Sequence, residues 1–287
     1  QRTIEVYKRL ADKGHHIRII CGGYPKAKDI KGGNLEIIHI KGSRNRSSYI
    51  KSRVSYGFHA HEYLDGEWDI IVENISCMNP PTQLPKYTKI PIVASFSFHG
   101  KTIVQKWMGR YHMRFLRQYK HMFTVTKYRR DKLQWNGIGG SNIKVLYNGI
   151  NGHLLELPSD DMHYMLFMGR LQYKQKGIDI LLQAFKKFKD ALILDDTTLI
   201  IAGDGPDKQI IKRHIKRMKL QDAVALVGFV KGDEKDVLLA CCTCFIQPSR
   251  YESWGITAME ASACGKAVIA NNIPGLRECV LDKKTGL

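Results

Sequence analysis

Two doubly wound α/β units in tandem are the fold class this 287-residue sequence predicts. Short apolar, β-branched runs alternate with amphipathic segments almost throughout, which implies βαβ crossovers and parallel sheets covered on both faces. The length exceeds the roughly 100–200 residues of one ordinary domain. Near the middle, after Asn148-Gly149, the polar and proline-bearing stretch INGHLLELPSDDMH interrupts the alternation. The domain boundary is placed there, giving a first unit over 1–158 and a second unit over 159–287.

Taken in order, the chain enters on QRTIEVYKRLADKGHHI, a charged amphipathic helix with no signal-peptide pattern. Strands are expected at 17–21, 35–38, 69–73, 92–96, 122–126 and 143–146, with amphipathic segments around 47–64, 101–119 and 128–135. The pattern restarts with a strand at 164–168, a helix at 178–190, a strand at 198–202 and a helix at 207–219. A strand at 223–227, a helix at 233–239, a strand at 244–247, a helix at 256–264 and a strand at 268–270 complete it. Both ends read as incomplete: no strand precedes the first helix, and a strand is starting at Thr285-Gly286-Leu287. Two such Rossmann-like units in tandem are expected to face a cleft between the carboxyl ends of their strands, where ligands bind in open α/β sheets.

Composition narrows the function classes. No apolar run approaches the ~20 residues needed to span a bilayer as a helix. The seven cysteines are odd in number and several fall in apolar runs, and alternation along a strand would point Cys241, Cys242 and Cys244 to opposite faces, which fits buried thiols in a reducing, cytoplasmic setting better than disulfides or a zinc site. The net charge of +18 is uneven: residues 1–160 hold 26 basic and 12 acidic residues, and residues 161–287 hold 19 and 15. The excess in the first half points to an anionic partner there, such as a membrane surface, a phosphorylated lipid or nucleic acid. In KTIVQKWMGRYHMRFLRQYK (101–120), aromatic and apolar residues recur every fourth position beside a basic stripe of Lys106, Arg110, Arg114 and Arg117. A second basic cluster, Arg44, Arg46, Lys51 and Arg53, lies near Tyr49. Either could meet an anionic surface, and either could be an ordinary solvated face.

The second half carries the chemistry-bearing patterns. Gly169-Arg170-Leu171 follows a strand and Lys176-Gly177 opens a helix, so two cations sit where free backbone N–H groups and the helix dipole also attract an anion. Gly203-Asp204-Gly205-Pro206 ends the next strand, where glycines permit a tight turn and a close ligand approach. Gly228-Phe229-Val230 ends the following one, with a flat ring able to border a base. PSRYESWGITAMEASACGKAVIA (248–270) then places Glu252 on a loop, Gly255 and Ile256 at a helix start, and Glu260 further along that helix. Carboxylates accept hydrogen bonds from vicinal hydroxyls of a sugar or ribose. Each pattern alone also reads as an ordinary βα loop or a solvated carboxylate.

Their order is more specific. A basic loop, GDGP, a strand ending in Gly-Phe, and two glutamates eight apart after Pro-Ser resemble the donor domain of the retaining glycosyltransferases of family four, which have the GT-B fold. The likeness continues through Ala270-Asn271-Asn272-Ile273-Pro274-Gly275-Leu276-Arg277-Glu278. In the first half RLADKGHHIRIICGGYP, PIVASFSFHG and VLYNGIN are similar to the family's first helix and second strand, its strand ending at a histidine, and its domain-closing segment. Three departures stand out. Ser253 and Trp254 replace glycine and another aromatic, Asn151 replaces an aspartate, and the family's glycine-rich loop after the first strand has no counterpart.

The resemblance implies a metal-independent hexosyl transfer, with retention, from a nucleotide-diphosphate sugar to an acceptor hydroxyl of a lipid-linked or cell-surface glycan precursor. No cofactor or metal is expected, nor a nucleic-acid partner, and the enzyme would be cytoplasmic, free or peripheral on the inner membrane face. Arg170 and Lys176 would neutralise the diphosphate, Glu252 would hold sugar hydroxyls, and His99 would stand near the donor sugar. Gly169, Gly203, Ser253, Trp254, Gly255 and Ile256 would line the donor, Glu260 would take the ribose, and Gly228, Phe229 and Val230 would border the base. Two other classes compete: a nucleotide-sugar epimerase on the same fold, and a non-catalytic module for anionic ligands or nucleic acid. No acid/base set for the first and no nucleic-acid motif for the second can be assembled.

Overall fold

Apolar runs and strands coincide most closely after residue 160. Expected strands 164–168, 198–202 and 244–247 are observed as β7 (Tyr164–Met168), β8 (Thr198–Ala202) and β10 (Cys244–Gln247) in a computed structural model. It describes residues 2–22, 32–40, 60–76, 84–97, 116–138, 142–191 and 196–287. The chain divides into two units, Gln1–Thr124 with Arg130–Lys144, and Val125–Arg129 with Val145–Leu287.

In the first unit α1 (Arg2–Asp12) leads into β1 (Ile17–Gly22), which pairs in parallel with β2 (Leu35–Ile40). A four-stranded sheet follows in the order β3 (Ile71–Ser76), β4 (Ile92–Ser97), β5 (His121–Thr124) and β6 (Ile143–Val145). A helical turn, α2 (Leu84–Tyr87), precedes β4, and α3 (Lys127–Trp135) follows β5. Ala94, Leu116, Met122, Leu133, Ile138 and Ile143 form the core. Strand β3 starts two residues later than expected, because the bond from Ile71 N–H to Pro91 C=O opens the pairing and Ile70 stays exposed.

The second unit is a five-stranded parallel sheet in the order β11 (Ala267–Ala270), β10, β7, β8 and β9 (Val224–Gly228). Alternation along β7 sends Leu166 and Met168 into one core and Phe167 into another. The first of these holds side chains of α6 (Asp233–Ala240) and α7 (Ile256–Ala263), and the second holds those of α4 (Ile178–Ala191) and α5 (Lys208–Arg217). Both faces are therefore covered, which is why these strands read as continuous apolar runs. Helix α5 stops short of the expected 219: Lys219 takes a left-handed φ of 55°. The next residue, Leu220, buries its side chain and donates its N–H to Ile215 C=O.

Strand order reverses between β7 and β10. The chain runs outward from β7 to β8 and β9 on one side, and places β10 and β11 on the other. Such a switch point leaves a crevice at the carboxyl ends of the two central strands, because their connections depart in opposite directions.

Candidate functional site

Two expected site residues meet at this crevice. Lys176 arrives on the loop after β7 and Glu252 on the loop after β10, and Lys176 Nζ lies 2.5 Å from Glu252 Oε1. Their side chains keep only 16% and 11% exposure, so the pair is largely withdrawn from water. The same oxygen accepts a hydrogen bond from Gln247 Nε2 at 2.8 Å and one from Ser249 Oγ at 3.0 Å. Among the described residues the fully buried side-chain polar atoms without a partner are Gln247 Oε1 and Ser262 Oγ. Glu252 Oε2, which takes no bond from a described residue, is not one of them and so keeps contact with solvent. One carboxylate oxygen is anchored by three donors and the other is presented.

A second set of contacts, not anticipated from sequence, ties the two loops together. Arg250 grips Asp179 at the start of α4 with two parallel bonds, Nη1 to Oδ1 at 2.6 Å and Nη2 to Oδ2 at 3.0 Å. Lys174 Nζ adds a bond to Asp179 Oδ2 at 2.9 Å, and Arg250 Nη1 also reaches Lys174 C=O at 2.9 Å. Burial alone would raise the Asp179 pKa, but the bonds from Arg250 and Lys174 hold it below the ordinary value. Backbone bonds reinforce the clasp, from Arg250 N–H to Gln175 C=O and from Asn271 Nδ2 to Pro248 C=O, both 2.9 Å.

Gly177 shows how close the two loops come. Its φ is +67°, and a Cβ there would stand 1.8 Å from Pro248 O. Only glycine allows this approach. Gly203 makes a similar approach, but to protein: its missing Cβ faces Gly169 O, and its N–H donates to Gly228 C=O. Both glycines therefore serve packing between neighbouring loops.

The remaining expected residues are placed as follows. Gly169 and Arg170 follow the carboxyl end of β7, and the Arg170 side chain is exposed. Gly228 ends β9, Phe229 is 68% exposed, and Val230 is buried in the core. Gly255 precedes α7, and Ile256 and Ser253 are half-buried. Trp254 is buried, with its indole N–H directed at Met259 Sδ and its ring against Tyr147. Glu260 pairs with Lys235 at 3.1 Å, and Lys235 neighbours Asp236, which pairs with His153 at 2.7 Å. Glu278 accepts the backbone N–H groups of Lys127 and Tyr128, closing the first turn of α3. His99, the basic cluster at 44–53 and residues 101–115 lie outside the described residues.

Among the described residues no group of three or more His, Cys, Asp or Glu side chains could hold a metal ion. Cys242 is pushed up to about 12 and Cys279 to about 11 by burial, so these thiols stay protonated. They line the core rather than a reactive surface.

Two parallel-sheet α/β units, the second with a cation and a carboxylate meeting at its switch point, define a protein of the GT-B class. A sucrose-phosphate synthase from Thermosynechococcus elongatus superposes with a TM-score of 0.77 at 20% identity, covering 100% of this chain and 79% of that one. An Anabaena protein solved with UDP and glucose gives 0.55 at 18% identity, covering 84% and 68%. The family described as Glycosyltransferase Family 4 matches residues 1–153, and that described as Glycosyl transferases group 1 matches residues 156–287. The chain belongs to glycosyltransferase family 4. Among curated relatives, an uncharacterised glycosyltransferase of Methanocaldococcus jannaschii is 31% identical over 160 residues, 50% of this chain and 40% of that protein. The chain spans about two-fifths of the length of the curated relatives it matches.

Proposed function

We propose that this protein transfers a hexose or related sugar from a nucleotide-diphosphate sugar to an acceptor hydroxyl, with retention and without a metal ion. The supporting observation is the meeting of Lys176 and Glu252 at the switch point. A donor of this kind presents a diphosphate and a ring of hydroxyls side by side. A cation and a carboxylate delivered by adjacent loops match that pair of groups. Arg170, exposed after β7, and the backbone N–H groups near Gly255 add positive potential for the phosphates. Glu260 takes the ribose and Phe229 borders the base. The UDP and glucose held by the Anabaena relative support a nucleoside diphosphate as the carrier.

The chemistry follows from charge. The bond between the anomeric carbon and the diphosphate oxygen breaks, and negative charge grows on the departing group. Lys176 and Arg170 stabilise that charge in a partly desolvated crevice, where preorganised electrostatics act most strongly. The acceptor oxygen bonds to the same face of an oxocarbenium-like carbon, and its proton passes to the departing phosphate. Glu252 holds sugar hydroxyls through this step and is not assigned as a nucleophile. His99 is proposed to stand near the donor sugar.

The acceptor is proposed to be a lipid-linked or cell-surface glycan precursor, met at the inner face of a membrane by the basic first half. No helix among the described residues is long and apolar enough to cross a bilayer. Cosedimentation that fails to prefer anionic over neutral liposomes at low salt would remove the membrane part of this reading. The site itself is tested by Lys176→Ala and Glu252→Ala. Both are expected to stay folded and to lose sugar transfer, and full activity in both would reject the assignment.

A further inference from the structure

We propose that Gln247 is a positioning residue for Glu252, holding its carboxylate in place when Lys176 turns toward the donor diphosphate. The inference rests on the roles given to Lys176 and Glu252 above. In the structure Lys176 neutralises Glu252 directly. A diphosphate is the stronger anion, and whatever share of the ammonium it takes is withdrawn from Glu252. A carboxylate only 11% exposed that loses its cation must find other donors, take up a proton, or move. Gln247 and Ser249 are the donors already in place, at 2.8 and 3.0 Å on the same oxygen.

Of these two, Gln247 is the fixed one. It is the last residue of β10, registered opposite Ala270 of β11, and 4% exposed. A serine hydroxyl rotates freely between partners, whereas the direction of a buried amide is set by its backbone and packing. The amide carries a further mark. Its Oε1 is buried with no partner, a desolvation cost that an apolar side chain of the same shape would avoid. Reversing the amide would turn that oxygen against the carboxylate, so Nε2 is the working end. The residue keeps an unpaired acceptor in order to offer one donor to Glu252. With that oxygen anchored, Oε2 stays turned to solvent and available to a sugar hydroxyl.

The test separates binding of the nucleotide from binding of the sugar. Calorimetric affinities are measured for UDP, GDP and ADP and for their glucose conjugates with the wild type, Gln247→Leu and Glu252→Ala. In Gln247→Leu the nucleotide affinity is expected to stay within about two-fold, while that for the cognate glucose conjugate falls about ten-fold, the worth of one hydrogen bond to a charged group. The Gln247→Leu/Glu252→Ala double variant should lose no more than Glu252→Ala alone, because Gln247 acts through that carboxylate. An equal fall for nucleotide and conjugate, or no fall for either, overturns the proposal. If Glu252→Ala leaves the conjugate's affinity intact, or the wild type binds none of these ligands, the underlying site reading falls and this inference with it. If Glu252→Ala loses the conjugate and Gln247→Leu keeps it, only the role of Gln247 falls. Should Gln247→Leu fail to melt cooperatively, Gln247→Met is judged by the same ratio.

Discussion

Glu252 and Glu260 lie eight residues apart in one strand–loop–helix segment, yet the protein treats them differently. Glu252 receives Lys176, Gln247 and Ser249 on one oxygen, and the loops carrying these groups are clasped by Arg250, Asp179 and Lys174. Glu260 stands on α7 beside Lys235, itself a neighbour of Asp236 and His153. The first neighbourhood is built from loop backbone at a switch point, and glycine contacts leave it little freedom. The second is built from side chains on neighbouring helices, which can shift singly. A group that meets the reacting sugar has to be held rigidly, because small displacements there carry large costs in rate. A group that grips the ribose contributes binding and tolerates more play.

The largest expected break in this contrast comes from Gly177→Ala. The new methyl would stand 1.8 Å from Pro248 O, at a φ that an L residue rarely adopts. The two loops must separate, and the expected loss is roughly 3 kcal/mol or more, read by urea denaturation. Loss within a few tenths of that for a surface substitution would show that the loops are not in contact as described.

Next in size is Asp179→Asn, which weakens the clasp without touching Lys176 or Glu252. The expected destabilisation is about 2 kcal/mol at neutral pH. Its pH dependence has a defined sign. The folded pKa of Asp179 is lowered, so its stabilisation is fully present above the unfolded value of about 3.9 and is lost as pH falls through the folded value. The gap in melting temperature between wild type and variant should be flat from about pH 5 to 8 and should shrink below about pH 4. A gap that widens in acid would contradict the assigned pairing.

The clasp also marks where sequence reading stops. Central strands β7, β8 and β10 were legible to the residue, since strands buried on both faces must be continuous apolar runs. Lys176 and Glu252 were legible as types in an ordered series of strand ends. Asp179 and Arg250 were not, because a bond spanning 71 positions leaves no periodic trace. Gln247 read as the end of a strand, and its partner became visible only when both loops were folded onto one crevice. Gly203 was recognised as a position of close approach, but sequence could not say that the approaching group is Gly169 O.

The smallest expected effect belongs to the Glu260 side and is the most discriminating. Glu260→Gln removes a charge but keeps an acceptor for a ribose hydroxyl, and Lys235→Ala removes the cation beside it. If Glu260 contributes uniform binding, either change should raise the KM for the donor about three- to ten-fold while leaving kcat within about two-fold. Glu252→Gln, made for comparison, should instead lower kcat if its anchored carboxylate holds the reacting sugar as proposed. Steady-state kinetics against donor concentration resolve the two patterns. A fall in kcat for Glu260→Gln equal to that for Glu252→Gln would mean that the helix carboxylate also acts on the reacting sugar. The contrast between a rigid loop site and an adjustable helix site would then have no functional content.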